Sequence, residues 1–452
     1  GLLCGVCTMQ ENFAVLVVRL LEKAEKILKE YPLCNSCLGR LFARHGVGLG
    51  NYERGLMVKT LLAMKLHNDY AKGVADRDSL KVLAAHAGDG IASMYRKLFS
   101  EDVAVDSCYL CGGKLGRELV ERIAGDVCVK LKEYGASKFL IGVTISNEVL
   151  GKELELIIKH GVESSESIKR EIKREVGKAV MALCNATPQF SSPEVVLIVN
   201  LDSTFNYEIS VQSNPLFYAG RYRKLGRRIS HIPWYTETGV KKYPLSVQEA
   251  VERVFKKIFE AEEVVIHAAG REDVDTRMVG SGRPVIVEVK SPRRRGVDVD
   301  ALRLLVEGGL RSLNVPVELR ITSTASRGLV TLIKEHSKRK RKTYRVVIYS
   351  QEGIEVSELK RLEEFFENRE VRQRTPLRIL RCKKDRVRAR KVYTVKTLQV
   401  SDKVFEALVL CEGGLYVKEL VHCDDGRTTP CFAGILGKAL IPIELDVIYV
   451  EE

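Results

Sequence analysis

The sequence predicts an α+β protein, and three observations carry that expectation. Cysteine pairs bracket a stretch with helical periodicity, the middle of the chain alternates strand-like and helix-like runs, and a strand–loop–strand unit follows near residue 270. At about 150 residues per domain, 452 residues make two to three domains with real hydrophobic cores. Hydrophobic residues at 45% and aromatics at 7% exclude a disordered or collagen-like chain. Lys plus Arg exceed Asp plus Glu by 73 − 59 = 14. Such a surplus favours a polyanionic partner, because each neutralised phosphate releases counterions. Nucleic acid is the first expectation and an anionic membrane surface the second.

The N-terminal apolar stretch Phe13 to Val18 is broken by Arg19 and does not read as a targeting segment. Val17, Leu20, Leu21, Ala24, Ile27 and Leu28 recur at steps of three and four and predict an amphipathic helix. No apolar run reaches the roughly 18 residues that a membrane span needs. The expected location is therefore the cytoplasm.

Six of the 12 cysteines fall as Cys-x-x-Cys. Cys34-Asn-Ser-Cys37 and Cys108-Tyr-Leu-Cys111 are two knuckles whose four thiolates can complete a tetrahedral set, so structural zinc is expected there. Each is followed by glycine (Gly39; Gly112 and Gly113), read as freeing backbone N–H groups to turn toward sulfur. Helical patterns around 51–66 and 79–99 predict that the insert between the knuckles folds on its own. Cys4-Gly-Val-Cys7 lacks a second pair and is read as chance spacing. Cys128, Cys184, Cys382, Cys411, Cys423 and Cys431 are read as lone thiols.

Farther along, Phe139 to Ile145 reads as a strand, and Ile168, Ile172, Val176, Val180 and Leu183 share one face of a helix whose other face is basic. Pro193 to Leu201 and Phe205 to Val211 add two β-rich runs, as in a small sheet packed on a helix. The stretch Arg221-Tyr-Arg-Lys-Leu-Gly-Arg-Arg228, with Trp234-Tyr235 beyond it, interleaves basic and aromatic side chains in a way that suits phosphates and unstacked bases, or a solvated face.

The most informative segment runs from Val264 to Lys290. A hydrophobic strand enters Gly270-Arg271-Glu272-Asp273-Val-Asp275, then leaves through Gly280-Ser-Gly282-Arg283-Pro284 into a second strand. Two chemistries fit. In one, an Asp acts as nucleophile or base beside a cation that keeps it ionised, with no metal. In the other, Asp275, Glu288 and Lys290 hold Mg²⁺ and activate water, as in a nuclease. Basic runs Lys338–Lys342, Arg293–Arg295 and Arg386–Lys391 share this half of the chain and are expected to meet phosphates beside the site.

Seven further blocks lie in order around this segment: Cys34-Asn-Ser-Cys-Leu-Gly-Arg, Gly220-Arg-Tyr-Arg-Lys-Leu, Lys342-Thr-Tyr344, Gln373-Arg-Thr-Pro-Leu-Arg, Tyr416-Val-Lys418-Glu-Leu-Val-His, Gly426-Arg-Thr-Thr-Pro and Glu444-Leu-Asp-Val. Together they resemble the pseudouridine synthase ten family, an archaeal and eukaryotic group with a zinc and THUMP-containing module ahead of a pseudouridine synthase domain. Gly270-Arg-Glu-Asp also resembles the Gly-Arg-Thr-Asp loop of the related TruA group, whose final Asp is catalytic, which selects Asp273 over Asp275.

The resemblance implies that Asp273 is the nucleophile that lets uracil detach from ribose, rotate and rejoin through carbon without a cofactor. Tyr344 would stack on the base or act as a base, Lys418 would pair with the aspartate, and Val417 and Leu445 would line the pocket. Arg271 and Arg283 are expected to contact substrate. The family's archaeal members act on the T-loop (TΨC arm) of tRNA at positions 54 and 55, so the expected partner is tRNA and the expected state a monomer. Expected domains are a helical Cys4 zinc module (1–115), a THUMP-like RNA-binding region (116–240) and a mixed antiparallel-sheet pseudouridine synthase domain (241–452). A magnesium-dependent nuclease and a non-catalytic RNA-binding protein are the opposing readings.

Overall fold

A computed structural model describes residues 13–336 and 340–451. Cys4 and Cys7 lie outside the described residues, as do Lys338 and Arg339 of the basic run before Tyr344. The chain divides into two compact units, one reaching to Gln212 and the other beginning at Ser213.

The first unit opens with α1 (Phe13–Glu30), α2 (Asn35–Leu41), α3 (Asn51–Ala71), α4 (Arg77–Ala87), α5 (Asp89–Phe99) and α6 (Arg117–Tyr134). It continues through β1 (Lys138–Ile145), α7 (Asn147–Lys159), α8 (Ile168–Leu183), β2 (Thr187–Pro188), β3 (Val195–Leu201) and β4 (Tyr207–Ser213), in the sheet order β2-β1-β3-β4. Leu21, Ala24, Ile27 and Leu28 of α1 are buried as their spacing predicts. On α8 the same holds for Ile168, Ile172, Val176 and Val180, but Leu183, at the last residue of the helix, is exposed. The helical pattern read as one stretch over 79–99 is two helices, because Gly88 turns at φ +64° between α4 and α5. One core runs from Leu21 to Phe205, so the expected division at 115/116 does not separate two compact bodies.

The four thiols of Cys34, Cys37, Cys108 and Cys111 converge, with every sulfur within 4.8 Å of the others. Cys34 Sγ and Cys111 Sγ are 3.7 Å apart; tetrahedral bonds of about 2.3 Å to a shared ion set sulfur–sulfur distances near 3.8 Å. The donor set fits a metal ion. The Cys37 N–H donates to Cys34 Sγ at 3.4 Å, and Gly112 and Gly113 take φ of +57° and +79° as the knuckle turns. Gly39 serves a different purpose. A Cβ there would stand 1.8 Å from Asn51 O, so the glycine lets α2 and α3 touch backbone to backbone. Four of the cysteines read as lone thiols are paired, Cys128 with Cys184 and Cys423 with Cys431, because α6 packs on α8 and the short helices Val417–His422 and Phe432–Leu436 lie close together. Cys382 and Cys411 remain free.

The second unit contains β5 (Leu216–Lys224), α9 (Val247–Phe259), β6 (Glu263–Ala268), β7 (Arg277–Lys290), α10 (Val299–Ser312), β8 (Val317–Thr324), α11 (Arg327–His336) and β9 (Arg341–Ser350). It ends with α12 (Val356–Phe365), β10 (Arg369–Arg374), a 3₁₀ turn (Leu377–Ile379), β11 (Val387–Ser401), β12 (Val404–Glu412), α13 (Val417–His422), β13 (Thr428–Thr429), α14 (Phe432–Leu436) and β14 (Leu440–Val450). Its sheet runs β13-β10-β11-β12-β9-β14-β7-β5-β8, with β6 also on β7. The β14–β7 pair is parallel and the other neighbours are antiparallel. The unit starts upstream of the expected 240/241 boundary because β5 is built into this sheet between β7 and β8.

Two hydrophobic cores cover the two halves of the sheet, one around β5, β7, α9 and α10 and the other around β9, β12, α12 and α13. Tyr344 on β9 packs against both, so the seam between the halves passes through it. Among the described residues no helix is long and apolar enough to cross a membrane.

The Cys4 geometry makes a stability prediction. Cys34→Ser or Cys108→Ser should remove bound metal, read by mass spectrometry of the intact protein, and lower the first unit's melting temperature by about 5 °C or more. An unchanged melting temperature in these variants, together with no metal bound to the wild type, would refute the site.

Candidate active site

The loop between β6 and β7 is short and heavily anchored. β7 begins at Arg277, earlier than its glycines imply, and residues 279–282 bulge opposite Arg223 as the register passes from Tyr222↔Arg283 to Lys224↔Met278. Gly270 opens the loop at φ +92°, and a Cβ there would stand 3.1 Å from Arg283 Nη1 and 3.2 Å from Lys342 Nζ.

Glu272, whose side chain is fully enclosed, points inward. It accepts from Tyr222 Oη at 2.8 Å and Arg283 Nε at 3.1 Å, with Lys224 Nζ at 3.8 Å. Burial alone would raise its carboxyl pKa, but the charges of Arg283 and Lys224 outweigh that and hold it below the ordinary value. Lys224 also donates to the carbonyls of Ile229 (3.0 Å) and Asp273 (2.9 Å), and Arg283 Nη1 to that of Ala269 (2.8 Å). Arg227 holds the Asp275 carbonyl at 2.8 Å and Asp446 Oδ1 at 2.9 Å. Tyr222, Lys224 and Arg227 of the basic–aromatic stretch thus support the loop, while Arg223, Arg228, Trp234 and Tyr235 remain exposed. Arg283, expected to contact substrate, lines the cavity but is only 1% exposed, with Nε on Glu272 and Nη1 on the Ala269 carbonyl.

With Glu272 turned inward, Asp273 faces a cavity of about 560 Å³. Arg378 Nη1 lies 2.9 Å from Asp273 Oδ2 and Lys418 Nζ 3.5 Å from it. Lys418 sits closer to Asp275, 2.8 Å from both of its oxygens, so Asp275 is the main partner of the lysine expected on Asp273. Burial works against the Asp275 charge, and Lys418 overcomes it and lowers that pKa.

Arg378 is the site residue that sequence reasoning missed. It ends the block Gln373-Arg-Thr-Pro-Leu-Arg, which was recognised without a role for its last residue. Glu419 Oε1 accepts from Arg378 Nε at 2.7 Å; with Asp273 it raises the guanidinium pKa despite burial. The same block sets α13, since Gln373 exchanges two 2.9 Å bonds with the Tyr416 backbone just before Val417.

Tyr344, Val417, Leu445 and Val447 form the less polar wall, and burial raises the Tyr344 hydroxyl pKa well above its ordinary value. Arg271 is exposed at the cavity, and Arg386, Arg388 and Arg390, at alternate positions, line it too. The run Arg293–Arg295 does not reach it: Arg295 bonds Ser213 Oγ and the Asn214 carbonyl instead. Nor is the nuclease set assembled. Glu288 pairs with His267 at 2.7 Å and Lys290 with Glu263 at 2.9 Å, and among the described residues the Cys4 group is the one cluster able to hold a metal.

A carboxylate between two cations, at a cavity with aromatic and aliphatic walls, defines an enzyme site. A family profile described as "Pus10, C-terminal" matches residues 217–451, and one described as "Pus10 THUMP domain, archaeal" matches 123–200. The chain is 47% identical to "tRNA pseudouridine synthase Pus10" of Thermosphaera aggregans over 96% of its own length and 97% of the relative's. For the proteins of the same name from Ignisphaera aggregans and Methanocaldococcus jannaschii the identities are 39% (96% and 99% covered) and 36% (94% of each). The chain belongs to the Pus10 family and is a pseudouridine synthase.

Two variants separate anchoring from chemistry. Arg378→Ala should lower kcat/KM roughly 10- to 100-fold, the 1.5–3 kcal/mol of a charge-assisted hydrogen bond, and should lower the melting temperature less than Glu272→Ala does, because it strands the one buried carboxylate of Glu419. Glu272→Ala should cost the second unit about 3–5 kcal/mol of stability by calorimetry, because it strands two buried cations. Equal stability losses in the two variants would contradict these roles.

Proposed function

We propose that the protein isomerises uridine to pseudouridine in the T-loop of tRNA, at positions 54 and 55, with Asp273 as the nucleophile. The observation that carries this reading is Asp273 itself, 2.9 Å from Arg378 and 3.5 Å from Lys418 at the cavity lined by Tyr344, Val417 and Leu445. A carboxylate flanked by cations stays ionised while a planar base occupies the cavity beside an aromatic ring.

In the reaction the N1–C1′ bond breaks with its electron pair leaving on uracil, and C1′ bonds to an Asp273 oxygen. Uracil turns against Tyr344 so that C5 meets C1′; the C5–C1′ bond forms as the aspartyl ester bond breaks. C5 then loses its proton and N1 gains one, so the product is an isomer. Lys418 and Arg378 hold the carboxylate, and Arg271, Arg386, Arg388 and Arg390 neutralise phosphates around the extruded nucleotide. No cofactor enters these steps.

The first unit, with its THUMP match, grips the tRNA, and structural zinc on Cys34, Cys37, Cys108 and Cys111 holds its knuckles together. The enzyme works as a cytoplasmic monomer. The positions 54 and 55 rest on the family resemblance.

Wild type should release tritium from tRNA carrying uridine labelled at C5, in EDTA, and lose part or all of it on transcripts with position 54 or 55 changed to cytidine. Asp273→Asn should bind tRNA and release none. Undiminished release by Asp273→Asn would sink the nucleophile assignment. Tight binding without release by wild type would support the non-catalytic reading, and magnesium-dependent cleavage the nuclease.

A further inference from the structure

Pseudouridine formation needs a group to take the C5 proton; the family resemblance offers Tyr344 for that role or for stacking, and the steps above use it only for stacking. Lys342 stands two residues before Tyr344 on β9, so both side chains project from the same face of the strand into the cavity that Asp273 faces. Lys342 is 7% exposed, and among the described residues its ammonium has no hydrogen-bond or ion-pair partner. It sits under the first turn of the catalytic loop, 3.2 Å from where a Cβ on Gly270 would stand. An amine largely withdrawn from water, without a protein partner and opening only on the cavity, is placed to act on what the cavity holds.

We propose that Lys342 is the base that removes the C5 proton once uracil has rejoined ribose. The inference rests on the isomerase reading above. The C5–H electron pair becomes the C5=C6 bond, the C6=N1 pair moves onto N1, N1 takes a proton from solvent, and the C5 proton rides on Lys342 Nζ until water removes it. The other lining groups fit this role less well. Arginines do not give up a proton near neutral pH. Glu272 is locked by Arg283 and Tyr222, Lys418 is paired with Asp275, and Lys383 is exposed. Tyr344 is the usual-looking candidate by position, but burial holds its proton more tightly than in free tyrosine.

Burial, and then the charge of Arg283, push Lys342 down to about 8, so a neutral amine is available near neutrality. The other groups facing it are Glu272, from the loop, and Cys411, its β12 neighbour, a thiol pushed up to about 12 by its own burial; Val450 is its β14 neighbour. This resembles the tuning that makes a lysine a working base.

The test uses the full chain and tRNA labelled at C5. If neutral Lys342 is the base, wild-type single-turnover release rises with pH to a plateau with a midpoint near 8. Lys342→Met lowers the rate by about 10²- to 10⁴-fold, removes that limb and enlarges the C5 deuterium isotope effect, with tRNA affinity and melting temperature near wild type. Lys342→Arg keeps the charge and does not rescue. Rescue by arginine, or a wild-type rate that falls above pH 8, would overturn the proposal and make Lys342 a charged donor to the base. Should Lys342→Met misfold, the wild-type pH profile and isotope effect still decide. A wild type that releases no tritium at any pH is a failure of the isomerase reading instead.

Discussion

The second unit's chemistry depends on one buried carboxylate that does not react. Glu272 lies one residue from Asp273, the proposed nucleophile, and points the opposite way, into Tyr222, Arg283 and Lys224. Consecutive side chains in an extended loop project to opposite sides, so anchoring Glu272 below aims Asp273 above. Three buried charges in one place are a poor source of stability in themselves. Their return is geometric: Lys224 and Arg283 also bind loop carbonyls, which fixes the backbone from both ends.

The site forms where two half-sheets with separate cores meet. One half contributes the loop and its anchors; the other contributes Arg378, α13 and the basic alternation on β11. Arg378 ties them, reaching Asp273 with one nitrogen and Glu419 with another. Lys418 makes a second tie through Asp275, and Asp446 a third, since it accepts from Arg277 on β7 and Arg345 on β9. A carboxylate held across such a seam is oriented by elements far apart in the chain, which suits a reaction whose substrate must turn over in place.

What the sequence made legible was local. The two Cys-x-x-Cys knuckles stood out by their spacing and the Gly270-to-Asp275 loop by its density of charges and glycines, while the choice of Asp273 came from the family resemblance. The basic run at Arg386–Lys391 was visible as composition, and its period of two places Arg386, Arg388 and Arg390 together at the cavity. Failures came where burial decides meaning. Tyr222, Lys224 and Arg227 have the composition of an RNA-binding face but lie beneath the loop. Arg378 and the Cys128–Cys184 pair depend on contacts between distant segments, and the Cys423–Cys431 pair on a local turn, none of which periodicity reports. Lys342 was hidden in a basic run; its even-numbered register with Tyr344 and the buried Val346 and Ile348 was the available signal.

The central claim is that the loop presents Asp273, and not its neighbour Asp275, to the ribose of an extruded uridine. The most direct measurement is a crystal structure of the Asp273→Asn protein bound to a T-arm stem-loop. The account requires the target C1′ within about 3.5 Å of the residue-273 side chain, with uracil against Tyr344 and Leu445. A target ribose seated at Asp275, or a nucleotide still stacked in the RNA and remote from Tyr344, would contradict it.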